Sequence, residues 1–309
     1  MNYVLAADIG GTNIRLAIID QQGQIMQESR VQAELSQQTA ISQDKAEAFV
    51  ITTLAKAMQS MLNQTEYSIK SIGIGFPGFF RGDSGILAAS PNLPLLHDFP
   101  LADLLSQALD KPVFVQNDAL CAAIGEQRYG AGQGHANLLH ITLGTGVGSG
   151  LILNNRPYCG EHGMAMEFGH LCIEHHNGRL CGCGNYGCVE AYASATAVVK
   201  RFTELCGGQH DAKEIFELAL QCNSCAEKIM REAGMYLGMA IAEAVKLLDV
   251  STVTISGGLS SAWDLLYPAL MNELDSNLIA PLKGQVNVLH SSLNDNAGLL
   301  GAAAIAKPE

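Results

Sequence analysis

Two glycine-rich turns, each set between two apolar stretches, constrain the fold of this chain most. The first turn, Asp8-Ile-Gly-Gly-Thr-Asn13, follows apolar residues 3–7 and precedes residues 14–19, which are apolar except for Arg15. The second, Leu143-Gly-Thr-Gly-Val-Gly-Ser-Gly150, lies between the strand-like residues 138–142 and apolar residues 151–153. Both patterns predict strand, turn and strand. A dinucleotide fingerprint needs a helix straight after the glycines, and a Walker A loop needs Gly-Lys-Ser/Thr, so neither motif is present.

Each turn has the chemistry of a phosphate site. Glycines let the backbone approach a ligand because no Cβ intervenes, and the N–H groups of such a turn form a concave anion site. Thr12 adds a hydroxyl donor, and Asp8, at the end of a buried strand, is placed to hold a hydrated cation near that anion. Taken alone, the first turn is explained equally well as an ordinary tight hairpin. Two turns of one pattern favour a duplicated domain, in which each half holds one end of a phosphate chain.

Composition sets the class of protein. With 309 residues, of which 48% are hydrophobic and 16% charged, the chain is long enough for two globular domains. Its net charge of −12 argues against nucleic acid or an anionic membrane as the main partner. We find no signal peptide and no apolar run near the ~18 residues of a membrane span. The nine cysteines are therefore expected to be thiols or metal ligands in the cytoplasm, not a disulfide framework.

A carboxylate stands where α/β folds place their chemistry. Residues 113–116 predict a strand that ends in Asn117-Asp118, and residues 119–129 predict a helix. An aspartate at that position can accept a proton from a substrate hydroxyl, as phosphoryl transfer requires. The alternative role for Asp118 is the N-cap of the following helix, and position alone favours that alternative.

A cluster of histidine and cysteines predicts a metal site. One imidazole and three thiolates, with glycines between the cysteines, suit tetrahedral structural zinc. These candidate ligands are His170, Cys181, Cys183 and Cys188. Competing ligands are Cys172, Cys159 and either His175 or His176. Buried free thiols are the alternative reading, and the remaining cysteines are expected to be core or surface thiols.

Further elements follow from periodicity. Amphipathic helices are predicted within residues 32–63 and over 101–109, and a long helix is predicted over 226–248. In that long helix Gly234 and Gly238 allow close packing, either inside the molecule or at an interface. A third glycine turn, residues 256–260, follows a predicted strand, and a small-residue helix begins at 296.

In this order the motifs resemble the ROK family of bacterial sugar kinases and related repressors, over essentially the whole chain. The motifs that carry the resemblance are Asp8–Thr12, Gly75–Gly78, Asn117-Asp118, Gly144–Gly148, Glu167–His170, Cys181-x-Cys-x4-Cys188, Glu190 and Ser256–Gly258. The resemblance implies the actin-like ATPase fold, with two RNase H-like α/β domains around a cleft. The smaller domain would span residues 1–118, completed by the helix at about 296–309. The larger would span 119–295 and carry the zinc loop.

The resemblance also implies roles for individual residues. Asp118 would be the catalytic base, and His170, Cys181, Cys183 and Cys188 would hold the zinc. The implied sugar ligands are Gly78, Asn92, Asn117, Asp118, Glu167, His170 and Glu190. The implied contacts to Mg²⁺ and ATP are Asp8, Gly10, Gly11, Thr12, Gly144, Thr145, Gly146, Gly257 and Gly258. His170 would then connect the sugar pocket to the zinc.

By this resemblance the chain is expected to transfer the γ-phosphate of ATP to the 6-hydroxyl of a hexose. Residues 90–94 and 190–195 are most similar to the glucose kinases of the family, and the second stretch also resembles N-acetylmannosamine kinases. Glucose is the expected sugar; N-acetylmannosamine, N-acetylglucosamine, fructose and allose are the alternatives. A repressor is disfavoured because only seven residues precede Asp8, and a non-catalytic sugar sensor because Asp118 is present. A homodimer is expected, since family members often form oligomers.

Overall fold

The computed structural model describes residues 3–33, 35 and 42–306. In these residues the strands are β1 (Tyr3–Ile9), β2 (Asn13–Ile19), β3 (Ile25–Gln32), β4 (Ile69–Phe76), β5 (Phe79–Phe80), β6 (Leu87–Ala89), β7 (His97–Phe99), β8 (Val113–Asn117), β9 (Leu138–Leu143), β10 (Val147–Leu153), β11 (Arg156–Pro157), β12 (Thr252–Ser256) and β13 (Asn287–His290). The α-helices are α1 (Gln43–Gln64), α2 (Leu101–Leu109), α3 (Asp118–Tyr129), α4 (Glu190–Ala193), α5 (Ala195–Cys206), α6 (Ala212–Leu220), α7 (Ser224–Leu248), α8 (Trp263–Asn277) and α9 (Ala297–Ile305).

Two five-stranded sheets share one order and one set of strand directions. The first runs β3-β2-β1-β4-β8 and the second β11-β10-β9-β12-β13. In each sheet, the pairs formed by the first, second and third strands are antiparallel. The pairs formed by the third, fourth and fifth strands are parallel. The glycine turns join corresponding strands, β1 to β2 and β9 to β10. The duplication predicted from these two turns is therefore present in the fold.

The central strands are apolar on both faces because helices cover both faces of each sheet. On the first sheet, Leu5 and Ile9 pack with α1 and α2, whereas Val4 and Ala6 on the opposite face pack with α9. On the second sheet, the face that carries Leu139 packs with α7. The opposite face packs with α3. Helices α3 and α9 therefore lie between the two sheets.

Helices α3 and α9 touch through their backbones. A Cβ added to Gly125 of α3 would overlap the carbonyl oxygen of Ala297, and one added to Gly301 of α9 would overlap that of Cys121. Two glycines thus let the helices approach more closely than any side chain would allow. This contact fixes the first turn of α3, which begins at Asp118, relative to α9 and the first sheet.

The glycines of the long helix serve internal packing. A Cβ at Gly234 would overlap the carbonyl oxygen of Leu266, and one at Gly238 would overlap that of Leu270. Both partners lie on α8, which begins with a stacked Trp263–Tyr267 pair. Of the two explanations that the sequence left open, close packing within the molecule accounts for both glycines.

One prediction from the sequence was wrong: Cys206 and Cys225 were expected to be thiols but form a disulfide, with Cα atoms 6.4 Å apart, because the end of α5 meets the start of α7. The helix predicted within residues 32–63 is α1, Gln43–Gln64, and Gln32 is the last residue of β3. Residues 34, 36–41 and 307–309, which those helix predictions touched, lie outside the described part of the chain. The domain boundaries at 118 and 295 stay predictions. No described helix combines the length and apolarity needed to cross a membrane.

Candidate active site

A cleft of about 540 Å³ lies between the two sheets. Its walls come from the carboxyl ends of β1, β8 and β12, from the turn between β9 and β10, and from the start of α9. Among the predicted site residues, those that line it are Asp8, Gly78, Asn92, Asn117, Asp118, Gly144, Thr145, Gly146, Glu167, Glu190 and Gly257. The fold therefore brings residues from both duplicated halves to one cleft, as strand ends in open α/β sheets do.

Asp118 faces the cleft from the first position of α3. The N-cap of that helix is Asn117, whose Oδ1 accepts from the N–H of Leu120 at 3.0 Å. Asp118 Oδ1 accepts from the adjacent N–H of Ala119, at 2.8 Å. Burial raises the pKa of Asp118, and two backbone hydrogen bonds oppose that rise. The capping role that position alone favoured for Asp118 thus falls to its neighbour, and the Asp118 carboxylate is left for the cleft.

Asp8 ends β1 beside the start of α9. The space next to its carboxylate exists because residue 298 is glycine: a Cβ there would lie 3.1 Å from the Asp8 carboxyl carbon. The pKa of Asp8 is raised to about 6, chiefly by burial and next by Asp118, while Arg15 lowers it and Asp295 adds a smaller rise. A carboxylate whose charge is poorly compensated by protein is a suitable ligand for a hydrated divalent cation.

Arg15 is a cleft residue that the sequence analysis missed. It stands opposite Asp8 in the β1–β2 pairing, so both side chains lie on one face of the sheet. Its Nη2 donates to Glu28 Oε1 at 2.9 Å and to Asn296 Oδ1 at 2.8 Å, and its Nη1 donates to the carbonyl of Asp295. Within the described residues Arg15 is the one Lys or Arg that lines the cleft. Its only sequence signal was a lone charge inside an apolar strand.

The second glycine turn forms the opposite wall. The N–H of Gly144 donates to the carbonyl of Gly146 at 3.0 Å, which tightens the turn. A Cβ on Gly146 would lie 2.5 Å from Glu190 Oε2, and that same oxygen accepts from the N–H of Val147 at 3.0 Å. Gly257 adopts φ +90° and packs against the backbone of Leu143, which only glycine does without strain. The second and third turns are thereby held together at one end of the cleft.

Three predicted sugar ligands, Gly78, Asn117 and Glu167, lie close together in the cleft lining. Gly78 has φ +151° and packs against Leu87 and Ala89, so the Pro77-Gly78 turn comes close to Asn117, whose Nδ2 donates to the Gly78 carbonyl at 3.1 Å. Glu167 enters from the opposite side. Burial raises the pKa of the Glu167 carboxyl; His170 lowers it, while Glu190 and Asp118 raise it.

Some predicted ligands do not line the cleft. Gly10 and Thr12 are exposed in the β1–β2 turn, directly beyond Asp8, and Gly11 is half-buried there. Gly258 begins a 3-10 turn that leads into α8. His170 lies behind the wall, with its Nε2 3.7 Å from Glu167 Oε2. The roles of these residues stay predictions.

The four predicted zinc ligands converge. One ligand atom from each of His170, Cys181, Cys183 and Cys188 lies within 4.8 Å of all the others. Cys183 and Cys188 sulfurs are 3.8 Å apart, and Cys181 Sγ is 3.6 Å from His170 Nδ1. Zinc with sulfurs at ~2.3 Å and nitrogen at ~2.0 Å would give tetrahedral edges of about 3.8 and 3.5 Å. The donor set and its spacing therefore fit zinc.

This cysteine cluster is joined to the cleft by two carboxylates. Cys181 Sγ lies 3.5 Å from Glu190 Oε1, whose other oxygen holds the second glycine turn. On the other side His170 contacts Glu167. The competing ligand Cys172 points elsewhere: its sulfur is 3.4 Å from His175 Nδ1 and outside the set of four. A metal ion that fixes the cysteine cluster would therefore also fix the carboxylates of Glu167 and Glu190.

A cleft between duplicated sheets, with aspartates at the carboxyl ends of two strands of the first sheet, is typical of the actin-like ATPase class, and this part of the fold prediction is confirmed. The sequence profile described as "ROK family" matches residues 4–309. The chain belongs to the ROK family.

Its relatives include named sugar kinases. A glucokinase of Thermotoga maritima is 32% identical over 98% of this chain and 97% of its own length. An N-acetyl-D-glucosamine kinase of Mannheimia succiniciproducens is 30% identical over 96% of this chain and 97% of its own. Among solved structures, a ROK family glucokinase from Streptomyces griseus in complex with glucose and AMPPNP has a TM-score of 0.81 and 32% identity. That likeness covers 98% of this chain and 99% of the other.

Proposed function

We propose that this protein is an ATP-dependent glucose kinase that transfers the γ-phosphate of ATP to the 6-hydroxyl of the sugar. The observation that carries the proposal is the carboxylate of Asp118 in the lining of a cleft built from both halves. That lining combines glycine turns with carboxylates and amides that suit sugar hydroxyls. The named activities of full-length relatives, and a homologue that binds glucose and AMPPNP, support it.

In this proposal Asp118 accepts the proton of the attacking hydroxyl. Its Oδ1 is held by the N–H of Ala119, and the side chain lines the cleft where the substrate hydroxyl would lie. Burial raises the pKa of Asp118 and so makes the carboxylate a stronger base. Asn92, Asn117, Glu167 and Glu190 orient the sugar, so that its hydroxyl meets the phosphorus in line.

The phosphate chain is proposed to lie along Gly144, Thr145 and Gly257, with Asp8 holding Mg²⁺. Magnesium would supply charge neutralisation on the phosphate oxygens, which this cleft needs because Asp8, Asp118, Glu167, Glu190 and Asp295 all line it. The contacts predicted for Gly10, Gly11, Thr12 and Gly258 require these residues to move toward the cleft. Zinc on the cysteine cluster would be structural and would keep Glu167 and Glu190 in place.

Glucose is the proposed sugar because relatives named glucokinase align over nearly the whole chain and a solved homologue is in complex with glucose and AMPPNP. N-Acetylglucosamine is the second candidate, because the relative named for that activity aligns over nearly the whole chain.

We further propose that the protein works in the cytoplasm as a homodimer. The proposal for the compartment rests on the seven cysteines that are free thiols, against which stands the one disulfide, Cys206–Cys225. Sedimentation velocity on the full chain tests the dimer: a single species at the mass of one chain, 32.8 kDa, would exclude it.

The experiment that tests the function is ADP release with Mg-ATP against glucose, mannose, fructose, allose, N-acetylglucosamine and N-acetylmannosamine. We expect the highest kcat/KM with glucose, and a loss of about 10²–10⁴-fold in kcat for Asp118→Asn, the usual contribution of a general base. Glucose binding by calorimetry should survive that substitution. Preference for an N-acetyl sugar would keep the kinase and change its substrate. Sugar binding without turnover of any sugar would replace the kinase by a sensor.

A further inference from the structure

A fully buried histidine lies directly beneath the nucleotide end of the cleft. His140 of β9 is 0% exposed and faces β12, where Thr254 pairs with it in register and Ser256 pairs with Thr142. Its Nδ1 is 2.9 Å from Thr254 Oγ1. Its Nε2 is 3.1 Å from Thr142 Oγ1 and 3.0 Å from Ser256 Oγ. Thr142 and Ser256 line the cleft beside Gly144 and Gly257, whereas Thr254 does not.

The Thr254 hydroxyl decides which ring nitrogen carries the proton. Thr254 is 0% exposed, and within the described residues His140 is the hydrogen-bond partner of its hydroxyl. A buried hydroxyl proton needs an acceptor, and leaving it without one is costly. Thr254 must therefore donate to Nδ1, which then carries no proton of its own. The neutral imidazole accordingly bears its proton on Nε2.

That tautomer determines whether the hydroxyls of Thr142 and Ser256, which form the floor of the cleft here, can donate hydrogen bonds to a ligand. The Nε2 proton points into the triangle formed with the Thr142 and Ser256 oxygens, which are 3.4 Å apart. Since the ring supplies a proton to the triangle, at least one hydroxyl proton is left over to point into the cleft. With the opposite tautomer one hydroxyl would donate to Nε2 and the other to its neighbour, and neither proton would remain.

We propose that His140 is a positioning residue that keeps hydroxyl protons of Thr142 and Ser256 available to donate to the phosphate oxygens of a bound nucleotide. The inference rests on the proposed function for the position of the nucleotide. Ionised phosphate oxygens only accept hydrogen bonds, so a floor that donates selects phosphate, whereas a floor that accepts would repel it. Burial lowers the pKa of His140 to about 3, so the imidazole stays neutral at working pH.

The same strand provides a matched control. Thr252, also on β12, is 0% exposed, points to the same face, and its hydroxyl lies 3.0 Å from the Nδ1 of another histidine, His135. Neither Thr252 nor His135 lines the cleft. Thr252→Val and Thr254→Val therefore remove equivalent buried hydroxyls, but only the second removes a partner of His140.

The first test is the affinity of the full chain for Mg-AMPPNP, measured by calorimetry. We expect Ser256→Ala to weaken binding about tenfold, the ratio that one hydrogen bond corresponds to. Thr254→Val should weaken it severalfold although Thr254 never touches the ligand, and Thr252→Val should leave it unchanged. Glucose affinity should be the same in all three variants. Equal affinities for Mg-AMPPNP in Thr254→Val and Thr252→Val would overturn the proposal.

The second test uses the wild-type protein and does not depend on enzymatic turnover. Long-range ¹⁵N–¹H correlation on the ¹⁵N-histidine-labelled protein should contain one histidine that stays in the Nε2–H form from pH 5.5 to 8 and shifts when Mg-AMPPNP binds. An Nδ1–H form for that histidine would overturn the proposal even if the protein phosphorylates glucose. Conversely, an Nε2–H histidine in a protein that binds the nucleotide but phosphorylates no sugar would contradict the proposed kinase function and still support this inference.

Discussion

At the scale of single residues, the charge of Asp8 should govern activity in acid. The pKa of Asp8 is raised to about 6 from an ordinary 3.8, so this carboxyl takes up a proton as the pH falls through about 6. A protonated Asp8 is a poor ligand for Mg²⁺, so kcat/KM for Mg-ATP should fall below pH ~6. Raising free Mg²⁺ should move this acid limb of the pH profile of kcat/KM to lower pH, because the cation competes with the proton. A limb that does not respond to Mg²⁺ would assign the titration to another group.

Arg15 should contribute to nucleotide binding through charge and through the turn that it holds. Arg15→Gln removes the one Lys or Arg that lines the cleft among the described residues, together with its bonds to Asp295 and Asn296. We expect the KM for Mg-ATP to rise about tenfold, with the KM for sugar unchanged, and Arg15→Lys to restore part of the loss. Arg30→Gln is the control: Arg30 pairs with Arg15 across β2 and β3, and its side chain is 64% exposed. Equal effects of the two substitutions on the KM for Mg-ATP would mean that Arg15 contributes only as a general surface charge.

The residue scale also separates what sequence can predict from what it cannot. Asp8, Asp118 and the glycine turns were predictable because each signal is local: an apolar strand followed at once by a turn or a carboxylate. Arg15 was not, since its partners Asp295 and Asn296 lie 280 and 281 residues away. The Cys206–Cys225 bond was missed because the positions of two helix ends depend on tertiary packing. Spacing alone also left the zinc ligands open, and only the fold excludes Cys172 from the set.

At the scale of elements, the cysteine cluster should support sugar binding. Removing zinc with a chelator, or making Cys183→Ser, should lower the melting temperature and raise the KM for sugar more than that for Mg-ATP, because Glu167 and Glu190 contact the cluster. Metal analysis should find about one zinc per chain in the wild type. Cys172→Ser is the matched control, since that thiol lies outside the set. Loss of zinc in Cys172→Ser would make Cys172 a ligand after all.

The contact between α3 and α9 makes a second prediction at this scale. In an uncrowded helix, Gly→Ala stabilises by about 0.5–1 kcal/mol. Gly301→Ala should instead destabilise by about 1–3 kcal/mol, because its methyl group would enter the backbone of Cys121. Chemical denaturation measures the change in the free energy of unfolding. The sign of that change distinguishes a crowded helix contact from an uncrowded one. A stabilised variant would mean that the helices separate at little cost.

At the scale of the whole molecule, substrates should draw the two halves together. The predicted phosphate contacts Gly10, Gly11 and Thr12 stand outside the cleft wall, so the proposed function requires closure. Trp263, the single tryptophan, stacks on His290 at 4.7 Å just beyond the third glycine turn. We expect Mg-AMPPNP to change its fluorescence, and glucose with Mg-AMPPNP to reduce the radius of gyration in small-angle scattering. An unchanged radius with both ligands bound would contradict closure.

The backbone contact of α3 with α9 also acts mechanically, as a fulcrum. A point on a lever moves in proportion to its distance from the pivot. Asp118 lies seven residues, about 10 Å along a helix, from Gly125, and Asp8 touches Gly298, three residues from Gly301. Edge strands such as β3 and β11 are on much longer arms. A small rotation can therefore open the mouth widely, while Asp8 and Asp118, which follow strands of one sheet, keep nearly the same separation.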